Sequence, residues 1–240
     1  MSSSADATSK EPSGIRTHGR GAEIARSAGV VGGATLTSRI FGFLRDMIVA
    51  NAFGAGQNAD AFFVAFGIPN ILRVFFAEGA LSAAFIPVFT QTRNSEGNDA
   101  ARHLSGALIV SLATILIVVT VLGILVAPFI VKILVPGFIQ HSEKYQLTVL
   151  LTRLMFPFLF FIGLTAVLAG ILNTLGHFLI PALTPVFFNF SMIGCALWLA
   201  PTLEIPITGL AWGVVLGLSL IHISEPTRPR LISYAVFCLK

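Results

Sequence analysis

Charged residues are scarce in this chain of 240 residues, of which only 11% are Asp, Glu, Lys or Arg. An ordinary soluble domain carries about 25%. Apolar residues make up 55% of the chain, and several segments run for about 20 residues almost without charge, the length at which a helix crosses a bilayer. A soluble protein of this length would need polar faces on its helices. The composition therefore predicts an all-α integral membrane protein.

Residues that carry chemistry are equally sparse. The two cysteines, Cys195 and Cys238, lie far apart and outside any metal-like spacing, so we expect no disulfide framework. The histidines His103, His141 and His177 have no carboxylate at metal-ligand spacing. No span carries a nucleophile with its base or a glycine-rich phosphate loop. The sequence thus predicts a protein that is not an enzyme and that uses no metal and no cofactor.

The net charge of +4 does not indicate a nucleic-acid partner. The basic residues are scattered among helix ends and spans, whereas nucleic-acid binding needs one solvated basic patch. We interpret them as topology signals and as contacts for an anionic, lipid-like molecule.

The chain divides into three parts. Residues 1–22 are polar and rich in Ser and Gly, which predicts a disordered cytoplasmic leader. Residues 23–217 form the predicted transmembrane bundle of five to six helices. The polar, proline-broken segment SEPTRPR then interrupts the pattern. Residues 218–240 resemble translated sequencing-adapter contamination, and we interpret them as an aberrant tail that is not native sequence.

The apolar runs predict the number and direction of the spans. Arg93 and Arg102 place a polar loop at 91–103 in the cytoplasm, whereas the connections at 53–57 and 201–206 contain no Lys or Arg, as outside loops do. The N-terminus is then cytoplasmic. Pro157 should kink the fourth span, and Gly29, Gly32 and Gly33 should allow close helix packing in the first. The predicted spans are residues 24–53, 59–76, 104–135, 147–175, 178–200 and 207–217.

Charges inside the first two spans are the main functional signal. A charge within a bilayer is expensive, so it normally faces a protein interior or a wet cavity. Because a helix turns about 100° per residue, Arg39 and Asp46 share a face and Arg45 lies about 120° away, which favours a cavity wall. In the second span, Asn70 and Arg73 lie on neighbouring parts of one face. Structural salt bridges among these charges are the alternative. The charges are Arg39, Arg45, Asp46, Asp60, Arg73 and Glu78.

These segments also carry a family resemblance. The run SRIFGFLRDMIVANAFGAG, followed by DAFFVAF, IPNILR and FAEGALSAAFIPVF, closely resembles the N-terminal signature of the MurJ (MviN) family, the lipid II flippases of bacterial peptidoglycan synthesis. The resemblance continues through VPGF, GILNT and LAWGV and covers about residues 25–217. It implies the N-terminal bundle of an exporter with two pseudo-symmetric bundles, in the multidrug/oligosaccharidyl-lipid/polysaccharide exporter superfamily.

The resemblance further implies a substrate and a site. Such a protein moves undecaprenyl-pyrophosphate-linked disaccharide-pentapeptide from the inner to the outer leaflet of the bacterial cytoplasmic (inner) membrane by alternating access. Arginines in its cationic cavity bind the pyrophosphate. Many members carry a second arginine where this chain has Val74, which lowers the cavity charge. The positions that match family arginines, the family aspartate and the glutamate of FAEGA are Arg39, Arg45, Arg73, Asp60 and Glu78.

Together the two lines of argument predict six substrate-binding residues. They are Arg39, Arg45, Asp60, Asn70, Arg73 and Glu78. Membrane lipids and other cell-wall synthesis proteins are the further predicted partners. Two other functions stay open at this point: export of other lipid-linked oligosaccharides by a sister transporter, and a membrane scaffold for cell-wall enzymes that transports nothing.

Overall fold

The structure, a computed structural model, describes residues 17–74, 80–175 and 178–224. Within these ranges the chain is folded into helices joined by short turns, and they contain no β-strand. The α-helices are α1 (Thr17–Phe53), α2 (Gln57–Arg73), α3 (Ala80–Ser95), α4 (Asn98–Leu134), α5 (Ser142–Met155), α6 (Pro157–Thr174), α7 (Leu179–Gly194) and α8 (Ile207–Ser224). A 3-10 turn (Pro136–Gln140) precedes α5, and a π-helical turn (Cys195–Leu199) and a 3-10 turn (Ala200–Thr202) extend α7.

Within the described ranges, three stretches are long and apolar enough to cross a membrane: Asn98–Leu134, Ser142–Thr174 and Pro181–Thr202. A shorter apolar stretch, Ile207–Ser219, follows. Helix α4 exposes large apolar side chains around much of its surface. A soluble helix would cover such a surface, whereas a membrane helix turns it towards lipid. The exposed side chains on α4 include Val110, Ile117, Val121, Leu125, Phe129 and Ile133.

Glycine and proline end or break the helices where the sequence predicts it. Helix α1 ends at Phe53 and is followed by Gly54 with φ 61°, a left-handed conformation that glycine adopts without steric cost. The span made by α5 and α6 breaks at Pro157, which has no backbone N–H to donate. The next turn is closed by Leu159, whose N–H donates to the Phe156 carbonyl at 2.9 Å. Regular helical bonding is thus interrupted at the position where the sequence predicts a kink.

The polar segment at 91–103 is not the predicted loop. Helix α3 continues to Ser95 and α4 begins at Asn98, so the connection is reduced to Glu96 and Gly97, the latter with φ 90°. Adding residues to an existing helix costs little, so polar residues can extend a helix beyond its apolar part.

The two predicted boundaries near the ends of the chain both fall inside helices. Helix α1 begins at Thr17, inside the segment predicted to be disordered, and residues 1–16 of that leader lie outside the described residues. Helix α8 continues past residue 217 to Ser224. Residues 225–240 of the predicted tail lie outside the described residues.

Close helix packing occurs at other glycines than the predicted ones. A Cβ on Gly29, Gly32 or Gly33 would meet no heavy atom within 4 Å among the described residues. In contrast, a Cβ on Gly123 would lie 2.0 Å from the Phe156 ring. A Cβ on Gly163 of α6 would lie 2.6 Å from Leu116 of α4. We call the contacts Gly123–Phe156 and Leu116–Gly163 the glycine seam.

Helix α1 lies beside α7. The rings of Phe41 and Phe190 meet with their centroids 4.6 Å apart, and this contact places the polar residues of α1 against the middle of α7. The main core is built mostly from α2, α5, α6 and α8, and Val49 of α1 and Met192 of α7 also belong to it. Its fully buried side chains include Ala61, Ala65, Leu151, Met155, Leu210 and Val214.

Candidate functional site

Arg45 of α1 is held on two sides. Its Nε and Nη2 donate to one carboxylate oxygen of Asp46 at 3.0 and 2.8 Å. Its Nη1 donates to the side-chain oxygen of Asn189 on α7 at 2.9 Å. The Arg45 side chain is 25% exposed and that of Asp46 is 68% exposed, so the pair lies at the edge of the packed region. These bonds fix the plane of the guanidinium, which is a rigid fork of donors.

Asn189 is the buried member of this group. The residue is only 4% exposed, and an unsatisfied amide in such a place would be costly. Both of its polar atoms are used, because its nitrogen donates to the Ser38 carbonyl at 3.2 Å while its oxygen accepts from Arg45. We call the contacts among Ser38, Arg45, Asp46 and Asn189 the polar seam. It joins α1 to α7.

Asn70 and Arg73 form a second group, on α2. The Nε of Arg73 donates to the Asn70 side-chain oxygen at 2.9 Å, as their spacing of three residues on one helix permits. Both residues line a cavity of about 210 Å³. The other lining residues are Phe66, Phe158, Ile162, Thr184, Pro185, Phe188 and Leu218. The cavity is therefore apolar, with an arginine and an amide at its wall.

Asp60 belongs to a third group and does not pair with an arginine. Its carboxylate accepts from the Lys144 ammonium of α5 at 2.8 Å. The same ammonium lies 4.1 Å from the centre of the Phe138 ring, within the range of a cation–π contact. The alternative of structural salt bridges thus applies to Asp60, but with lysine as the partner. Among the arginines, Arg45 has the partner that the alternative named, Asp46.

Arg39 and Glu78 are the two remaining predicted site residues. Arg39 is exposed on α1, and among the described residues it makes no hydrogen bond or ion pair. Glu78 lies outside the described residues. No group of three or more His, Cys, Asp or Glu side chains within the described ranges is placed to hold a metal ion.

The partners of these charges, Asn189 and Lys144, were not predicted from the sequence. Asn189 stands between Phe188 and Phe190 in an apolar span, and a polar residue in such a place is a signal of function or of a helix contact. It lies 144 positions after Arg45, so only the fold could join the two. Lys144, the partner of Asp60, lies in the first turn of α5.

The chain is similar in sequence and in structure to known proteins. The family model described as lipid II flippase MurJ matches residues 49–223. The chain belongs to the MurJ family. Its fold class is therefore that of an all-helical integral membrane protein, and the family is one of transporters in the bacterial inner membrane, not of enzymes.

Individual relatives agree with the family model. The lipid II flippase MurJ of Burkholderia cenocepacia is 43% identical over 187 residues, which are 78% of this chain and 36% of that protein. The probable lipid II flippase MurJ of Vibrio cholerae is 42% identical over 199 residues, 80% of this chain and 38% of its own length. The chain thus spans 36% and 38% of the length of these two family members.

A solved structure confirms the fold. The structure entitled lipid II flippase MurJ, inward closed conformation, superposes with a TM-score of 0.64 at 31% sequence identity. The match covers 81% of this chain and 41% of the solved chain. The family resemblance read from the motifs is confirmed, and the polar seam lies within a fold that the family shares.

Proposed function

We propose that this chain supplies the N-terminal bundle of a lipid II flippase. The bundle binds the pyrophosphate of the lipid-linked disaccharide-pentapeptide while the head group passes from the inner to the outer leaflet. Family membership supports the substrate, because the relatives that span the matched segment carry the name lipid II flippase. The proposed binding residues are Arg39, Arg45, Asp60, Asn70, Arg73 and Glu78.

The observation that carries the proposal is the state of Arg45. Three of its five N–H groups are engaged by Asp46 and Asn189. The other two N–H groups of Arg45 are available to bind a ligand. The side chains beside Arg45 on α1 are largely apolar and exposed. A phosphate that leaves water for such a region loses its hydration, and charge-assisted bonds from a guanidinium offset that cost. Arg39, one further charge on the same helix, adds to the attraction.

Arg73 supports a second part of the same proposal. It combines a guanidinium and the Asn70 amide with an apolar cavity of about 210 Å³. An amphiphile with an anionic group at one end matches that combination, because the arginine favours the charge and the cavity favours the adjoining hydrocarbon. Lipid II is such an amphiphile. The long polyprenyl tail would stay in the surrounding lipid.

The proposed orientation places the N-terminus in the cytoplasm. Arg93 and Arg102 flank the connection from α3 to α4 and would lie inside, while the connection from α1 to α2 contains no Lys or Arg and would lie outside. Arg45 then lies eight residues, about 12 Å, from the outer end of α1. Rocking of this bundle against a second one would expose the arginines alternately to either side. Contact with other cell-wall synthesis proteins stays a prediction.

A complementation experiment tests the proposal. In the chimera, residues 25–217 of this chain replace the corresponding N-terminal segment of the Burkholderia cenocepacia flippase. The chimera is expressed in cells whose own flippase is depleted, and the lipid-linked saccharides that accumulate are identified. We expect the chimera to clear undecaprenyl-pyrophosphate disaccharide-pentapeptide, and Arg39→Ala or Arg45→Ala to abolish clearance. Arg93→Ala, at the end of α3, is the matched control.

Each outcome decides between the proposed function and its alternatives. Accumulation of a different lipid-linked oligosaccharide would identify a sister exporter. Full growth with both arginine variants would contradict transport through a cationic site and favour a scaffold. Clearance by the chimera and by Arg93→Ala, together with its loss in the other two variants, supports the flippase.

A further inference from the structure

We infer that Asn189 is a positioning residue for Arg45, and the inference rests on the proposed function of Arg45 as a pyrophosphate ligand. Asn189 does not have to touch the substrate. Its side-chain oxygen holds Nη1 of Arg45 at 2.9 Å and its nitrogen is anchored on the Ser38 carbonyl at 3.2 Å. The amide therefore fixes one side of the guanidinium relative to the backbone of the helix that carries it.

The other side of the guanidinium is held by Asp46, an exposed neighbour on the same helix. Asp46 accepts from Nε and Nη2, but its side chain is 68% exposed and the pair joins neighbouring residues on the surface of one helix. An exposed ion pair of this kind contributes little by itself. Asn189 is 4% exposed and comes from another helix, so it limits the rotation of the Arg45 side chain in a way that Asp46 alone does not.

The neutrality of the amide is essential to this role. An asparagine accepts a bond from Arg45 and leaves its charge in place, while Asp46 already supplies one negative charge to the group. A carboxylate at position 189 would make two acids around one guanidinium, and the group would then repel an anionic ligand. An apolar residue would leave the charge balance unchanged but would free the guanidinium to move.

Asn189 also links the site to α7. The amide is carried by a helix with Pro185 four residues before it and the π-helical turn Cys195–Leu199 after it. Both features interrupt regular helical bonding. A shift of α7 along α1 would change the bond to Arg45 and hence the direction of its two available N–H groups. The site therefore presents its donors only when α1 and α7 are packed as observed.

The test uses the purified full chain in lipid nanodiscs and two probes, farnesyl pyrophosphate and the uncharged alcohol farnesol. Asn189→Leu is expected to weaken binding of the pyrophosphate about tenfold, as loss of a hydrogen bond to a charged group predicts. Asn189→Asp should weaken it further, because the added charge repels the ligand. Binding of farnesol should change less than twofold in both variants. Asn94→Asp, which adds the same charge on an exposed part of α3, is the control.

A double variant separates positioning from a purely structural role. In Asp46→Asn with Asn189→Asp, one acid and one amide again surround Arg45, with their places exchanged. We expect the double variant to recover most of the pyrophosphate affinity lost in Asn189→Asp. A residue that merely fills the interior would show no such recovery.

The remaining outcomes all count against a claim. Equal affinity of wild type and both single variants for farnesyl pyrophosphate would overturn the inference and leave the proposed function intact. Parallel loss of both probes, without recovery in the double variant, would show that Asn189 is only structural. Wild-type binding that does not distinguish pyrophosphate from alcohol would contradict the anion site itself.

Discussion

The polar seam and the glycine seam join helices in opposite ways. In the polar seam, a guanidinium of α1 meets a buried amide of α7 through bonds of 2.9 and 3.2 Å. In the glycine seam, α4 meets α6 and the break before it because Gly123 and Gly163 leave room for the side chains of Phe156 and Leu116. Small residues allow helices to approach closely in a membrane, where the hydrophobic effect does not draw them together.

This difference indicates that the two seams have different roles. Interlocked side chains tolerate little movement, because a shift opens a gap or creates an overlap. Hydrogen bonds between a side chain and a carbonyl can be exchanged for bonds to water or ligand at small net cost. We therefore expect the glycine seam to determine the stability of the bundle and the polar seam to determine how it binds an anion.

The largest effect on stability should come from Gly123→Ala. The added methyl group would lie 2.0 Å from the Phe156 ring, so the ring or a helix must move. Overpacking of this kind costs about 3 kcal/mol in the free energy of unfolding. The measurement is an SDS-induced unfolding curve of the chain in detergent micelles.

Gly106→Ala is the matched control, because it lies on the same helix and its Cβ would meet no heavy atom within 4 Å among the described residues. It should stabilise the helix slightly, since alanine is the better helix former. If Gly123→Ala unfolds like the control, the glycine seam does not determine stability and the comparison fails.

A smaller effect is expected at a polar contact beside the glycine seam. Pro128 has no N–H, so the Ile124 carbonyl four residues earlier loses its usual helical donor. Arg153 of α5 supplies a replacement, because its Nε donates to that carbonyl at 3.2 Å. Arg153→Met should leave the carbonyl unsatisfied and cost about 1.5 kcal/mol in the free energy of unfolding.

A double-mutant cycle with Pro128→Ala sharpens this prediction. Alanine at position 128 restores the N–H that the Ile124 carbonyl lacks, so Arg153→Met should cost much less in that background. The coupling energy reports the contact itself. Equal costs in both backgrounds would mean that Arg153 acts by its charge or its packing and not as a substitute donor.

Features set by neighbouring residues could be predicted from the sequence, whereas contacts between residues far apart in the chain could not. Local signals served well: the end of α1 at Phe53, the start of α8 at Ile207 and the break at Pro157 all follow from glycine, proline and apolar runs. The glycines that pack closely could not be chosen from the sequence. Gly29 and Gly123 stand in similar apolar surroundings, and only the approach of Phe156 distinguishes the second.

The contacts of the candidate site could be predicted only where they lie within one helix. Arg45 and Arg73 stood out because charge is costly in an apolar segment, and Asn70 could be placed near Arg73 because the two lie three positions apart on one helix. The bond from Arg45 to Asn189 joins two distant helices, and no periodicity within one helix reports on it. The same holds for Asp60 and Lys144, whose pairing requires α2 and α5 to lie side by side.

The smallest effects should come from that last pair, which belongs to neither seam. Its two side chains differ in burial, since Lys144 is 12% exposed and Asp60 is 61% exposed. Asp60→Asn leaves a largely buried ammonium without its carboxylate and should cost about 1 kcal/mol in the free energy of unfolding. Lys144→Met leaves an exposed carboxylate that water can solvate, and it should cost about half as much.

The test is which of the two variants, Asp60→Asn or Lys144→Met, loses more stability. If the ion pair were an ordinary surface pair, both variants would lose the same small amount of stability, and 0.5 M KCl would remove that loss, since salt screens exposed charges. A larger loss in Asp60→Asn that persists in salt would show that Asp60 mainly stabilises a buried lysine that also contacts the Phe138 ring. A larger loss in Lys144→Met would contradict this account. In that case the exposed carboxylate of Asp60 would depend on Lys144 more than the buried ammonium of Lys144 depends on Asp60.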